Sequence, residues 1–187
     1  MKPPSTPGIR DTLKAATAAA HHALDESLGQ FDLTTTAHYR HFLQASAAAL
    51  LALEMALEQA GVAGLIADWP QRRRAQAISA DLADLNGVVA PLPWSLQPLD
   101  RSGMFGTLYV LEGSRLGAAY LLRVVAASAD PRVRRATRYL RHGAGEGLWR
   151  GFPSQLEREP VTQEDEIRMI ASAREAFAMF ARAMACP

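Results

Sequence analysis

Two groups of residues in this 187-residue chain have types and spacings suited to chemistry. The first lies in the segment LKAATAAAHHALDESL, where His21 and His22 are adjacent and Asp25 follows His21 by four. On a helix that spacing puts the carboxylate on the imidazole's face, where it can accept a hydrogen bond from the ring nitrogen not engaged elsewhere. At about 100° per residue, His21 falls about 60° from Leu24 and about 20° from Leu28, whereas His22 falls far from both. His21 therefore leans inward and His22 outward. Lys14 lies two turns before His21 on the same side. Taken alone, a histidine beside an apolar face is more often a satisfied core residue than a ligand, so this group needs a counterpart elsewhere.

The second group is Gly103 to Arg123, GMFGTLYVLEGSRLGAAYLLR. Met104, Leu108, Leu111, Leu116, Tyr120 and Leu121 recur with a near-helical rhythm, so the spacing predicts one helix. Gly106, Gly113 and Gly117 sit inside it, each giving up about 1 kcal/mol of helix stability relative to alanine. Gly113 and Gly117 are one turn apart and open a strip of bare backbone against which a flat molecule could lie. A crossing helix seated on the small residues is the plainer reading of that pair by itself.

Composition sets the frame for both groups. With 49% hydrophobic and 21% charged residues, the chain fits one domain, 1–187, with Met1 to Pro7 a loose Pro-rich arm. Lys plus Arg at 20 against Asp plus Glu at 19 gives a net charge of +1, which supplies no overall drive toward nucleic acid or membrane. The single cysteine, Cys186, excludes a disulfide framework and a Cys-x-x-Cys motif. The start, MKPPSTPGIR, has no apolar signal core, and no apolar run suggests a membrane span, so a soluble, cytoplasmic protein is expected.

The elements that must position the two groups read as helices throughout. The first is expected from Gly8 to Gly29, its buried stripe Ile9, Leu13, Thr17, Ala20, Leu24 and Leu28. A threonine run at 34–36 suits an N-cap for a second helix ending near Ala60 and Gly61, with Tyr39, Phe42, Ser46, Ala49, Leu53 and Leu57 inward. His38 and His41 lack a carboxylate or cysteine to complete a metal set and read as surface residues. A third helix is expected from Pro70 to Asn86-Gly87, with Arg72 to Arg74 a solvated basic turn. Val88 to Asp100, with three prolines, reads as a rigid loop. The arginines at 132, 134, 135, 138 and 141 suggest an exposed basic helix, or a landing site for an acidic protein. In GAGEGLWRGFPSQLE, Arg150 between Trp149 and Phe152 suits pairing with a carboxylate. Thr162 with Asp165 resembles a capping box opening a last helix whose stripe is Ile170, Ala173, Phe177, Phe180 and Met184. No strand signal or internal repeat is present, and the fold class is all-α.

On these residues the chain resembles the heme oxygenases. LKAATAAAHHALD is similar to that family's proximal-helix signature, whose spacing selects His21, and LYVLEGSRLGA is similar to its glycine-bearing distal helix, particularly in the bacterial branch associated with bacteriophytochromes. The resemblance spans essentially the whole chain and implies a single-domain helical bundle with haem held between a proximal and a distal helix. It implies His21 as the haem-iron ligand, Asp25 as the carboxylate orienting it, Gly113 and Gly117 as the backbone over the distal face, and Lys14 and Arg150 as contacts to the propionates. Two positions depart from the pattern: Ser114 stands where many members have a distal aspartate, and Glu146 where others have a further basic residue.

The implied reaction is O2-dependent opening of haem b to biliverdin, expected as the IX-alpha isomer, with carbon monoxide and ferrous iron. A neutral histidine ligand gives less push toward O–O cleavage than a thiolate, which suits attack on the porphyrin edge. The chain has no Rossmann fingerprint or flavin motif, in agreement with electrons from an external ferredoxin or reductase. A bacteriophytochrome is the implied recipient of the product, and neither nucleic acid nor membrane is expected as a partner. Two other readings stand beside this one: a haem carrier, store or sensor without ring opening, kept open by Ser114, and a helical interaction protein in which both groups only pack. A di-iron carboxylate bundle is set aside because the chain has no Glu-x-x-His pair.

Overall fold

Thr162 and Asp165 close the capping box expected of them. The Thr162 hydroxyl accepts from the Asp165 N–H at 3.2 Å, and the Asp165 carboxylate accepts from the Thr162 N–H at 3.0 Å. The helix they open, α10 (Gln163–Ala185), buries Met169, Ala173, Ala176, Phe177, Met179, Phe180, Ala183 and Met184. This computed structural model describes residues 8–89 and 98–186, which leaves the N-terminal arm and most of the proline-rich loop expected at 88–100 outside the described residues.

The other helices are α1 (Ile9–Leu28), α2 (Thr36–Gln59), α3 (Trp69–Arg72), α4 (Ala75–Asp84), α5 (Arg101–Gly113), α6 (Arg115–Ala126), α7 (Pro131–Arg135), α8 (Arg138–Arg141) and α9 (Leu148–Arg158). A 3₁₀ turn at Val62–Gly64 follows α2, and the described residues contain no strand, as the sequence predicts. α10 packs against α1, α2 and α5. Its approach to α5 depends on a glycine: a Cβ on Gly106 would lie 2.1 Å from the Met169 carbonyl oxygen, so the two backbones touch. Thr35 caps α2, accepting from the His38 N–H at 3.4 Å. No helix among the described residues is long and apolar enough to cross a membrane.

Four expectations need correction. The central helix is broken at Ser114 into α5 and α6. The helix expected from Pro70 is two helices, with Arg72 and Arg74 buried at 5% and 4% exposure and only Arg73 half-exposed, beside Glu58 at 2.6 Å. Buried Glu54 makes the break possible by accepting the N–H groups of Arg74 (2.7 Å) and Ala75 (3.1 Å) at the start of α4. The arginine-rich segment is likewise two short helices and not one: its five arginines are exposed as expected, while Val133, Ala136, Tyr139 and Leu140 are buried. Arg132 pairs with Asp130, Arg134 donates to the Ser128 and Ala129 carbonyls, and Arg138 reaches Asp81 and Asp84. His41, finally, is half-buried, 3.2 Å from the Met184 carbonyl and packed on Phe31. His38 is exposed as expected and accepts from the Asp32 N–H at 3.0 Å.

Candidate functional site

On α1, buried Leu13 and Thr17 form the inward stripe, and the Thr17 hydroxyl donates to the Leu13 carbonyl at 2.7 Å. His21 is the next residue on that line. Its ring meets Phe177 of α10 edge-on, centroids 5.9 Å apart, while the side chain stays 64% exposed. Its Nδ1 lies 2.9 Å from the Asp25 carboxylate. In the neutral imidazole that bond makes Nδ1 the protonated nitrogen and leaves Nε2 with a free lone pair. His22 points elsewhere, toward Glu26 at 3.4 Å, so the helical phase separates the two histidines in the way their spacing predicts.

The helices that carry His21 and Gly113, α1 and α5, both pack against α9 and α10. The start of α5 meets the end of α9 through the ion pair of Arg101 and Glu159, and the start of α1 meets the same end, the Arg10 N–H donating to Glu157 at 3.1 Å. The starts of α1 and α5 therefore both lie at the C-terminal end of α9. Tyr109 of α5 is half-buried, its ring 6.4 Å from that of Trp149 on α9. Burial pushes the Tyr109 hydroxyl pKa up, so it is a neutral donor at physiological pH.

The glycines differ in what surrounds them. A Cβ on Gly113 would lie 3.7 Å from the Trp149 ring of α9, ordinary contact, and one on Gly117 would meet nothing within 4 Å. Beside Gly117, Leu116 and Tyr120 are 62% and 68% exposed, an apolar surface with no protein over it. The helix-crossing reading thus applies to Gly106 and not to Gly117. Lys14 and Arg150 are both exposed, and neither forms an ion pair among the described residues, so the carboxylate expected opposite Arg150 is not supplied by them. Glu146 is exposed in the loop before α9.

Ser114 occupies the break itself. Its hydroxyl accepts from Arg74 Nη1 at 2.9 Å and donates to the Leu111 carbonyl at 2.7 Å, which engages it in holding the bend. Behind it lies a cluster that the sequence reading missed: buried Glu112 with Arg72 and Arg115, and His142 beside Arg115. Burial and the Arg115 and Arg74 charges hold the His142 pKa below the ordinary histidine range. Only the three-residue spacing of Glu112 and Arg115 was available as a local signal. Thr17 and Phe177 belong to the buried stripes that the periodicity predicts.

The comparisons with known proteins converge on one group. Residues 8–185 match the family model described as heme oxygenase. Over 134 residues, 68% of this chain and 66% of the relative, the sequence is 33% identical to heme oxygenase PigA of Pseudomonas aeruginosa. The structure superposes on the NO- and CO-bound heme oxygenase of Neisseria meningitidis with a TM-score of 0.76 and 26% identity, covering 96% of this chain and 91% of that one. The heme oxygenase of Leptospira interrogans shares the fold, with a TM-score of 0.70 at 16% identity over 95% of this chain and 98% of that one. With the match running from α1 through α10, this chain belongs to the heme oxygenase family of haem-degrading enzymes.

Proposed function

We propose that this protein opens the ring of haem b, bound as substrate between α1 and the α5–α6 pair, to yield biliverdin, carbon monoxide and ferrous iron at the expense of O2 and electrons. The observation that carries the reading is the pairing of His21 with Asp25, which leaves one ring nitrogen free, on a helix that shares its α9 and α10 neighbours with α5 and its bare glycines. The surroundings fit a flat apolar molecule. Gly117 leaves room above its backbone, and Leu116 and Tyr120 offer uncovered apolar surface beside it. Bound haem supplies the iron at which O2 is activated.

His21 would hold the haem iron through Nε2, and Asp25, bound to Nδ1 at 2.9 Å, would fix the tautomer and ring orientation and raise the ligand's basicity. Gly113 and Gly117, lacking side chains, would let a flat substrate approach the helix backbone and leave room for O2 beside it. Lys14 and Arg150, which form no ion pair among the described residues, pair with the propionates, and Glu146 leaves that clamp without a further cation. Ser114 acts through the bend, since Arg74 and Leu111 engage its hydroxyl, and ordered water is then the proton route. Electrons come from a separate ferredoxin or reductase. The reaction takes place in the cytoplasm, the product is the IX-alpha isomer, and a bacteriophytochrome is its recipient. The whole chain, 1–187, forms the functional unit.

The test is single turnover with haem, O2 and an electron donor, followed by product analysis. Conversion of the Soret band to biliverdin absorption is expected. His21→Ala should lose both the histidine-ligated spectrum and turnover, whereas His22→Ala should keep both, and normal degradation by the His21 variant removes the assignment. The engaged Ser114 hydroxyl favours a second reading, haem carriage without ring opening. Stable haem binding with no biliverdin in this assay would establish it.

A further inference from the structure

The break between α5 and α6 is built around a carboxylate that no step of the proposed reaction uses. Glu112 is 1% exposed, and both of its oxygens are occupied. One accepts from Arg72 Nη1 at 2.6 Å and Arg115 Nε at 3.0 Å, and the other from Arg115 Nη2 at 3.0 Å. The two guanidinium groups then tie three chain segments together. Arg115 donates to the Arg72 carbonyl at 2.6 Å and the His142 carbonyl at 3.2 Å. Arg72 donates to the Leu148 carbonyl at 3.1 Å and grips Asp68 through Nε and Nη2 at 2.7 and 2.9 Å.

A buried ionic cluster is a poor source of stability, because the desolvation of each charge offsets most of the attraction, and apolar side chains of the same volume would hold the helices as well. What it supplies is direction. A guanidinium fork binds carboxylates and carbonyls in few geometries, so α3, the bend and the loop entering α9 are held at defined angles to one another. The two places so held flank Gly113: Glu112 immediately precedes it, and Leu148, whose carbonyl Arg72 holds, immediately precedes the Trp149 that Gly113 faces.

We propose that Glu112 is a positioning residue for ring opening, which by clamping Arg72 and Arg115 sets the angle at which Gly113 and Gly117 face the substrate. The proposal rests on the reading of the cleft given above. It is tested on the full chain loaded with haem, comparing the parent protein with Glu112→Gln, which keeps the shape and removes the charge, and with Arg115→Lys, which keeps the charge and removes the fork. Three quantities are read: haem affinity, the C–O stretching band of the ferrous carbon monoxide complex, and the rate and isomer ratio of biliverdin formation.

Both variants should bind haem through histidine with affinity within about threefold of the parent, yet shift or split the C–O band and lower the rate or change the isomer ratio about tenfold, the scale of a small misplacement at the reacting centre. Folded, haem-bound variants with the parent's band, rate and isomer ratio overturn the clamp and leave the cleft assignment standing. A parent protein that binds no haem or makes no biliverdin overturns the cleft assignment, and the clamp with it. If Glu112→Gln does not fold, Arg115→Lys decides by the same measures, and loss of fold in both assigns the cluster to stability alone and overturns the proposal. In the parent, amide exchange at 113–117 should be as slow as in buried α5, and exchange at unstructured-chain rates there also overturns it.

Discussion

The three glycines of the central segment carry different physical tasks, and single substitutions separate them. Gly106 lets α5 touch the α10 backbone, Gly113 meets the Trp149 ring at ordinary distance, and Gly117 faces open space. Gly106→Ala forces two backbones apart and should cost about 2–3 kcal/mol in denaturant unfolding. Gly117→Ala creates no clash and should raise haem-free stability by up to about 1 kcal/mol, since the helix loses a flexible residue. If Gly117 faces the substrate, replacing it with leucine should leave the fold intact and weaken haem binding sharply. Equal haem affinity for the leucine variant and the parent would return Gly117 to a packing role. The inward and outward histidines were legible for a similar reason: the phase of α1 depends only on which neighbours are apolar, and His21 does reach Phe177.

At the scale of elements, helix starts are held by carboxylates and hydroxyls in two ways, and they differ in strength. Thr162 caps α10 at the surface through a local, three-residue contact, so Thr162→Ala should cost about 1 kcal/mol. Asp81 is fully buried in α4 and accepts the N–H groups of Arg138 at 3.0 Å and Tyr139 at 2.8 Å, ordering α8 from a distance in sequence. Asp81→Ala strands those donors and should cost about 3 kcal/mol, with the two variants compared by urea unfolding. Equal costs would mean that the α8 backbone finds other partners. The contrast also explains why the capping box was legible and the arginine-rich segment was not. A Thr-x-x-Asp signal is complete within one turn, whereas the fate of Arg138 depends on Asp81 and Asp84, which the fold brings to it.

For the molecule as a whole, stability against pH should carry the mark of the ionic cluster. His142 is held below its ordinary value of 6.5 by burial and by the nearby Arg115 and Arg74 charges. The folded state therefore binds fewer protons there than the unfolded chain. Its contribution is fully present above pH 6.5 and is lost as the pH falls below that value toward the folded pKa. Glu54 and Asp81, raised mainly by burial, act in the opposite sense, gaining relative stability as acid neutralises them. Replacing His142 with glutamine should flatten the decline in unfolding free energy just below pH 6.5 while leaving the profile above it unchanged. A parallel decline in both proteins would place the acid sensitivity elsewhere.

The sequence by itself determined the all-α class, the inward phase of His21 with Asp25 beside it, and the cap of the last helix. Each rests on contacts within one or two helical turns, where periodicity states the geometry directly. Only the tertiary structure decided that the central helix bends at Ser114, that Arg72 and Arg74 are buried, and that Glu112 joins them. Arg72 and Glu112 are 40 residues apart, and no local pattern marks two charges that meet only after the chain has closed on itself. A buried charge looks like a surface charge in sequence, because its partner and its desolvation are both properties of the assembled fold.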